Sequence, residues 1–447
     1  MNEQSNNKNF KTRLSSTQTI LFSFFIAIFL GAFLLSLPIA NNKHTSTDFL
    51  SCLFTATSSM CVTGLVVVDT ATHWSFFGQL IILMLIQLGG LGVIFVTSII
   101  AILLGQKINL IQRTTLQEAL SLRKIGGIIV LTKFIIKGVL LFESIGALVL
   151  FTHFIKEFDL LKAIWYSIFH SISAFCNAGF DLMGFRGVFS SLTFYKSNVL
   201  INVTIMLLII IGGLGFTVWH TLYSKRLNFK KYTLQCKLVL ITTIILIVIP
   251  AVYFYFFEYA DVAGKTRILS SLFQSVTTRT AGFNTQDFAN MSEVGQAISI
   301  ILMLIGGSPG STAGGMKTTT ITILIISTFA IFKQENEAHI FNRRIEIQIV
   351  KNAITLFILY INLFLIFSFA ICKIENSTLM EASFEVGSAL GTVGLTLGFT
   401  PNITSLSKVL LIILMFLGRV GGLTFIYAIL PSLNKKAGYI AEDIAVG

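Results

Sequence analysis

Charge is what this 447-residue chain has least of. Only 12% of its residues are Asp, Glu, Lys or Arg, against 54% hydrophobic, and the mean hydropathy is +0.83. A soluble domain carries about a quarter charged residues, so most of this surface faces lipid rather than water. Proline is scarce, with five residues in all, which leaves long helices free to form. The five cysteines, at positions 52, 61, 176, 236 and 372, make no C-x-x-C pair. That spacing argues against a disulfide framework and a zinc module. The six histidines form no H-E-x-x-H pair, and no convergent nucleophile, base or metal set appears, which argues against a membrane-embedded enzyme. There is also no Rossmann unit and no P-loop. The Gly-Gly-Leu-Gly runs that do occur lie inside apolar segments rather than at phosphate-binding turns.

Long apolar runs are abundant instead. A helix crossing the hydrocarbon needs about 20 mostly apolar residues. Eight candidates meet that need: 19–40, 76–105, 138–154, 199–223, 238–257, 294–332, 352–372 and 409–433. The first has no charge and no small-residue cleavage site nearby, so it reads as a retained membrane helix. The net charge of +12 is distributed with a bias. With the amino terminus inside, segments 1–18, 106–127, 224–237, 333–351 and 434–447 hold 18 Lys/Arg and the outer segments nine. Positive charge inside predicts a multi-pass protein of the plasma (inner) membrane with both termini cytoplasmic, not a nucleic-acid binder. Of the 20 acids, 12 fall outside. They are either ordinary solvated loops or a field that concentrates cations at a pore mouth.

Between the spans lie four short segments, 48–59, 163–175, 268–278 and 380–389, each too short to cross. Each runs into a glycine followed by Leu or Phe: Val62-Thr63-Gly64-Leu65, Asn177-Ala178-Gly179-Phe180, Thr280-Ala281-Gly282-Phe283 and Thr392-Val393-Gly394-Leu395. The four glycines are spaced by 115, 103 and 112 residues. Non-helical backbone at membrane depth is tolerated only where protein or a water-filled cavity surrounds it. Four such turns therefore predict four re-entrant half-helices around one shared cavity. The expected fold is an all-α polytopic membrane protein. Four tandem helix–pore-loop–helix repeats surround one central pore in pseudo-fourfold, K⁺-channel-like fashion. Repeats span 18–105, 128–223, 238–332 and 352–433, joined by cytoplasmic linkers 106–127, 224–237 and 333–351 and flanked by tails 1–17 and 434–447. Repeat two carries an insertion of about nine residues, which the region around 190–195 can absorb in an outer loop.

Gly391-Thr392-Val393-Gly394-Leu395 is close to the TVGYG filter of potassium channels, whose backbone carbonyls replace the water shell of K⁺. The filter candidates are accordingly Val62, Thr63, Gly64; Asn177, Ala178, Gly179; Thr280, Ala281, Gly282; and Thr392, Val393, Gly394. A second glycine cluster follows each, at Gly89-Gly90, Gly212-Gly213, Gly306-Gly307 and Gly418, 25, 33, 24 and 24 residues after its filter glycine. Such glycines are either close-packing sites between helices or, recurring at matched depth, the floor of one pore. In repeat three the run Gly306-Gly307-Ser308-Pro309-Gly310-Ser311-Thr312-Ala313-Gly314-Gly315 cannot stay helical, and predicts either a kink or an intramembrane loop over 306–317. Lys317 and Arg419, costly in lipid, should face the cavity or a partner. Arg279 is expected to support the filter against an acid such as Glu293 or Asp287, with direct ion contact as the alternative. Asp69, Asp287 and Asp181 are candidates for the outer mouth. Glu143 is an intramembrane acid, either functional or paired with a base.

With these motifs the chain resembles the membrane subunits of the Trk/Ktr/HKT superfamily of potassium transporters. Ser-Met-Cys-Val-Thr-Gly-Leu (59–65), Phe-Cys-Asn-Ala-Gly-Phe-Asp (175–181), Thr-Arg-Thr-Ala-Gly-Phe-Asn (278–284) and Gly-Gly-Met-Lys-Thr-Thr (314–319) carry the likeness over residues 18–433. It is most similar to the bacterial Ktr type, without the extra amino-terminal helix pair of longer Trk subunits. The resemblance implies K⁺ uptake driven by the membrane potential and gating by the repeat-three loop with Lys317 and Arg419. Glycine in all four filters favours K⁺ over Na⁺. It implies no cofactor in the chain, Na⁺ as a stimulating ion, and a homodimer attached to a cytoplasmic nucleotide-binding RCK ring. There ATP favours opening and ADP closing; the basic cytoplasmic segments and the tail 435–447 are either its docking surfaces or ordinary positive-inside charge. The alternative is a Na⁺-permeable transporter or an obligatory Na⁺/K⁺ symporter.

Overall fold

A computed structural model of the chain describes residues 15–92, 95–96, 114, 116–117, 127–226, 228–335, 337–422 and 425–426. The expected tails 1–17 (apart from residues 15–17) and 434–447, and nearly all of the linker 106–127, lie outside the described residues.

The four first helices form where the apolar runs predict them. They are α1 (Ser16–Ser36), α4 (Ile128–Phe154), α8 (Leu234–Tyr253) and α12 (Ile347–Glu375). Each is long and apolar enough to cross a membrane, and much of its apolar surface stays outward, as at Ile26, Phe33, Leu148, Ile249 and Ile366. A helix apolar all round suits a lipid-facing position. The half-helices follow as α2 (Phe49–Met60), α5 (Leu160–Phe175), α9 (Gly264–Thr277) and α13 (Leu379–Gly391). Their pore-side residues are nearly all buried. The second helices begin at side-chain caps, where Ser75, Asn198, Ser292 and Thr404 each accept a backbone N–H of the first turn. They are α3 (Phe76–Leu91), α6 (Val199–Leu214), α10 (Glu293–Leu304) and α14 (Ser405–Val420).

Two expectations about the second helices need correction. They are not continuous spans to 105, 223 and 433. In repeats one, two and four the helix stops at Gly92, Gly215 and Gly421, each with φ near +90° (88, 94 and 89°). In repeat two the chain then turns by 93° into α7 (Phe216–Lys225). Left-handed backbone of this kind ends a helix, and only glycine adopts it without a Cβ clash. Repeat three instead follows α10 with the non-helical stretch 305–317 before α11 (Thr318–Phe332).

In repeats one, two and four the first glycine of each cluster is a close-packing site. A Cβ on Gly89, Gly212 or Gly418 would collide with the carbonyl oxygen of Met60, Phe175 or Leu390 respectively, each at or next to the end of its own half-helix. Glycine here lets the second helix lie directly against the half-helix, as small residues do between membrane helices.

Candidate ion-conduction site

Each half-helix leads into the same backbone figure. Val62, Asn177, Thr280 and Thr392, two residues before the four glycines, have φ of 57, 59, 66 and 51°. The glycines themselves follow at 91, 70, 81 and 94°. Left-handed backbone at Val or Thr is sterically costly, so the surrounding fold must impose it. Alternating the hand of successive residues turns consecutive carbonyls to one side, the geometry of an ion filter. The intervening N–H is tied back in every repeat: Thr63 N to Ser58 O (2.8 Å), Ala178 N to Ser173 O (2.8 Å), Ala281 N to Thr277 O (3.0 Å) and Val393 N to Ser388 O (2.8 Å).

The four turns close into a ring. A Cβ built on Gly64 would meet Ala178 O at 2.5 Å, one on Gly179 would meet Ala281 O at 2.7 Å, and one on Gly282 would meet Val393 O at 2.5 Å. On Gly394 it would collide with Thr63 O, which completes the circuit. The order one–two–three–four–one leaves no room for a side chain at any of the four glycines.

Above the ring opens a vestibule of about 440 Å³, lined among others by Asp69, Asp181, Asp287 and Asn284. The three carboxylates come from three repeats. Asp69 and Asp287 cap short helical turns, and Asp69 also accepts Phe189 N (3.0 Å). The repeat-two insertion is therefore part of the mouth and not a passive bulge: Phe189 meets repeat one, while Leu192 N donates to Asn284 O (3.0 Å) of repeat three.

Against the inner end of the ring lies the repeat-three loop. Ser308 N and Thr312 N donate to Gly213 O (3.0 Å) and Gly212 O (3.2 Å), and Gly315 N donates to Gly418 O (3.2 Å). Phe216 N in turn donates to Gly310 O (2.8 Å), and the Thr312 hydroxyl donates to Phe175 O (3.1 Å). The break at Gly215 thus supplies the helix end that receives the loop. Lys317 folds back on the loop, its Nζ donating to Ala313 O (2.9 Å) and Gly314 O (3.3 Å). Arg419 reaches three carbonyls in two other repeats: Nη1 donates to Thr312 O, and Nη2 to Gly89 O and to Gly90 O (3.0 Å). Both charges have protein partners, and those partners are backbone oxygens.

Arg279 does not meet the expected acid. Its Nη2 approaches Thr243 Oγ1 at 3.5 Å, while Asp287 caps the turn 288–290 and Glu293 starts α10. The side chain reaches from just past the end of α9 to Thr243 on α8. Glu143 meets no base among the described residues. Gln87 Nε2 donates to both its oxygens (3.0 and 3.3 Å), and Cys176 Sγ lies 3.5 Å from Gln87 Oε1. A buried acid is thereby linked to the residue before Asn177. All five cysteines are free thiols. Glu143→Ala is expected to lower stability by about 1–3 kcal/mol by leaving the Gln87 amide unpaired, with Glu143→Gln milder. Thermal unfolding of the purified protein in detergent measures both.

Sequence reasoning missed the polar side chains behind the ring. His170, Gln274 and Glu385 hold the outer loops of their own repeats, through Leu182 N (3.2 Å), Gln286 O (2.7 Å) and the hydroxyls of Thr396 and Thr400 (2.8 Å for Thr400). A lone polar residue in an amphipathic half-helix gives no signal of this kind until the helices are superposed.

The family described as TrkH, cation transport protein, matches residues 3–436. The potassium/sodium uptake protein NtpJ of Enterococcus hirae is 40% identical, covering 98% of this chain and 99% of its own. The Ktr system potassium uptake protein B of Bacillus subtilis is 38% identical over 97% of both chains, and that of Vibrio alginolyticus 31% identical over 98% and 97%. The solved potassium transporter TrkH from Vibrio parahaemolyticus shares the fold, with a TM-score of 0.73, 17% identity, and coverage of 96% of this chain and 87% of that one. Sequence likeness runs along nearly the whole chain: it belongs to the TrkH family of cation transport proteins, is a transporter and not an enzyme, and fits the Ktr-type membrane subunit.

Proposed function

We propose that this chain takes up K⁺ across the plasma membrane through the four-glycine ring. The observation that carries the reading is the closed circuit in which each filter glycine abuts the carbonyl before the next repeat's glycine. Carbonyl oxygens at fixed positions replace the hydration shell of an ion, and a ring without side chains leaves backbone oxygens as its ligands. The filter residues are Val62, Thr63, Gly64, Asn177, Ala178, Gly179, Thr280, Ala281, Gly282, Thr392, Val393 and Gly394. An inside-negative potential supplies about 2.3 kcal/mol per charge per 100 mV, so uptake needs no ATP hydrolysis in this chain. The acids of the vestibule concentrate cations at the entrance.

The loop 306–317 acts as the gate, held by Lys317 and Arg419. Its support is the set of bonds that hold it to the glycine-rich ends of the second helices of repeats two and four, at Gly212, Gly213, Phe216 and Gly418, with the Arg419 fork on Thr312 O as a further tie. Names such as Ktr system uptake protein point to further components of the same system. From the resemblance to Ktr-type subunits, we propose that the chain works as a homodimer under a cytoplasmic RCK ring that carries ATP or ADP. The basic segments 224–237 and 333–351 provide the docking face, and both termini lie on that side.

Flux of Rb⁺ and Na⁺ into vesicles holding the purified chain tests the proposal, first alone and then with the nucleotide-binding ring and ATP. Selective Rb⁺ flux supports it. Absence of flux with the ring and ATP present overturns it. The relative named as a potassium/sodium uptake protein gives a second reading specific support, and coupled Na⁺ and Rb⁺ movement in fixed ratio would establish it.

A further inference from the structure

One hydroxyl from each half-helix touches its filter, and it does so in two opposite ways. In repeats one and four the hydroxyl accepts: Gly64 N donates to Ser58 Oγ (3.1 Å) and Gly394 N donates to Ser388 Oγ (3.0 Å). In repeats two and three it donates: Ser173 Oγ to Phe180 O (2.7 Å) and Thr277 Oγ1 to Phe283 O. All four side chains are fully buried, at 0% exposure, so these bonds have no competing water at the surface. Each hydroxyl belongs to the residue whose carbonyl holds the N–H just before the filter glycine, which makes the four positions equivalent in space. Thr277 stands one residue closer to its glycine than the other three do, so counting along the chain does not align it.

A carbonyl that accepts from the half-helix behind it points away from the pore axis. Phe180 O and Phe283 O are engaged by the half-helix behind them. Repeats two and three are neighbours in the ring, as are four and one. The side chain that follows the glycine divides the same way, with Leu65 and Leu395 in one pair and Phe180 and Phe283 in the other.

Resting on the filter reading above, we infer that Ser58, Ser173, Thr277 and Ser388 are specificity-determining positioning residues that make the outermost ion level two-sided. Repeats two and three contribute no carbonyl from the residue after the glycine. Only repeats one and four have that oxygen free to turn inward, so an arriving ion keeps part of its water on the side of Phe180 and Phe283. Shedding of water is completed one level lower, at the carbonyls of Thr63, Ala178, Ala281 and Val393. The arrangement gives K⁺ one tight site with a loose antechamber, rather than a queue of equal sites.

Two pairs of substitutions should move ion binding in opposite directions. Ser173→Ala and Thr277→Val release a carbonyl that can then turn to the axis and add an oxygen ligand. The half-saturating Rb⁺ concentration should fall about fivefold and maximal flux should fall with it. Ser58→Ala and Ser388→Ala strip an acceptor from a filter N–H. The half-saturating concentration should rise by about the same factor, and the Rb⁺ over Na⁺ preference should weaken. Thr277→Ser and Ser388→Thr keep the hydroxyl and should restore wild-type values, which separates bond loss from a packing defect. The inference is overturned if both pairs shift the half-saturating concentration in the same direction, or if none shifts it twofold while the wild type conducts. It is equally overturned if the hydroxyl-keeping variants behave like the alanine and valine ones. A wild-type chain that fails to conduct with ring and ATP present would instead remove the filter reading itself.

Discussion

Gly64→Ser is expected to abolish most of the discrimination between Rb⁺ and Na⁺. Gly64 has φ of 91°, where an L side chain is strained, and a Cβ there would come within 2.5 Å of the Ala178 carbonyl oxygen. That oxygen belongs to the neighbouring repeat and is itself a proposed ion ligand. Neither backbone segment can shift as a whole without opening the ring, because Ala178 N is held by Ser173 O and Gly64 N by Ser58 Oγ. The least costly response is rotation of the Ala178 carbonyl off the axis. A left-handed non-glycine residue costs about 1–2 kcal/mol before the clash is counted. A displaced ligand leaves space for a water beside a smaller ion. A fall of at least about tenfold in the Rb⁺/Na⁺ flux ratio is the expected outcome, corresponding to about 1.4 kcal/mol of lost discrimination. Equal ratios in mutant and wild type would place selectivity outside the ring. Gly282→Ala serves as a second variant, since its Cβ meets Val393 O at the same 2.5 Å.

The second large effect is expected at Arg419, and with the opposite sign on flux. The guanidinium ties the repeat-three loop at Thr312 O to the second helix of repeat one at Gly89 O and Gly90 O. These bonds span elements that share no backbone, so they hold the loop in place only in the arrangement seen here. Hydrogen bonds to a charged group contribute about 1.5–3 kcal/mol each, but not additively. Arg419→Gln keeps one amide donor and loses the fork. If the loop obstructs the path, weakening this state by even one such bond raises the conducting fraction about tenfold. Flux through the purified chain without its regulatory ring should therefore rise by about that factor at unchanged Rb⁺ half-saturation. A fall in flux with intact folding would instead make Arg419 a positive element of the open path. Lys317→Met is expected to act more weakly, because Lys317 reaches only carbonyls of its own loop.

How much of this was legible in the residues differs from element to element. The half-helices, expected at 48–59, 163–175, 268–278 and 380–389, stand at Phe49–Met60, Leu160–Phe175, Gly264–Thr277 and Leu379–Gly391. Length and composition suffice there, since an apolar segment too short to cross and followed by glycine has few other places to go. Where a second helix ends was not legible. Gly92, Gly215 and Gly421 sit in runs as apolar as any span, and glycine is tolerated in membrane helices, so a break and a packing contact look alike in one dimension. The structure uses neighbouring glycines for both purposes, Gly212 for contact and Gly215 for the turn.

Charges were the hardest to place. The expectation that Arg279 meets Glu293 or Asp287 failed because proximity in sequence places an acid near the chain but not on the same side of it. Arg419 donates to oxygens 107, 329 and 330 residues away, and no spacing rule reaches that far. By itself, then, the sequence determined the membrane setting, the fourfold repeat, the short half-helices and the four glycines, because hydropathy and backbone propensity act locally. Tertiary structure alone decided the circuit of glycine against carbonyl, the opposite use of Ser58 and Ser388 versus Ser173 and Thr277, and the anchoring of the repeat-three loop. Each of those depends on atoms from different repeats, or on the direction in which a carbonyl points, and only packing four half-helices around one axis brings such atoms together.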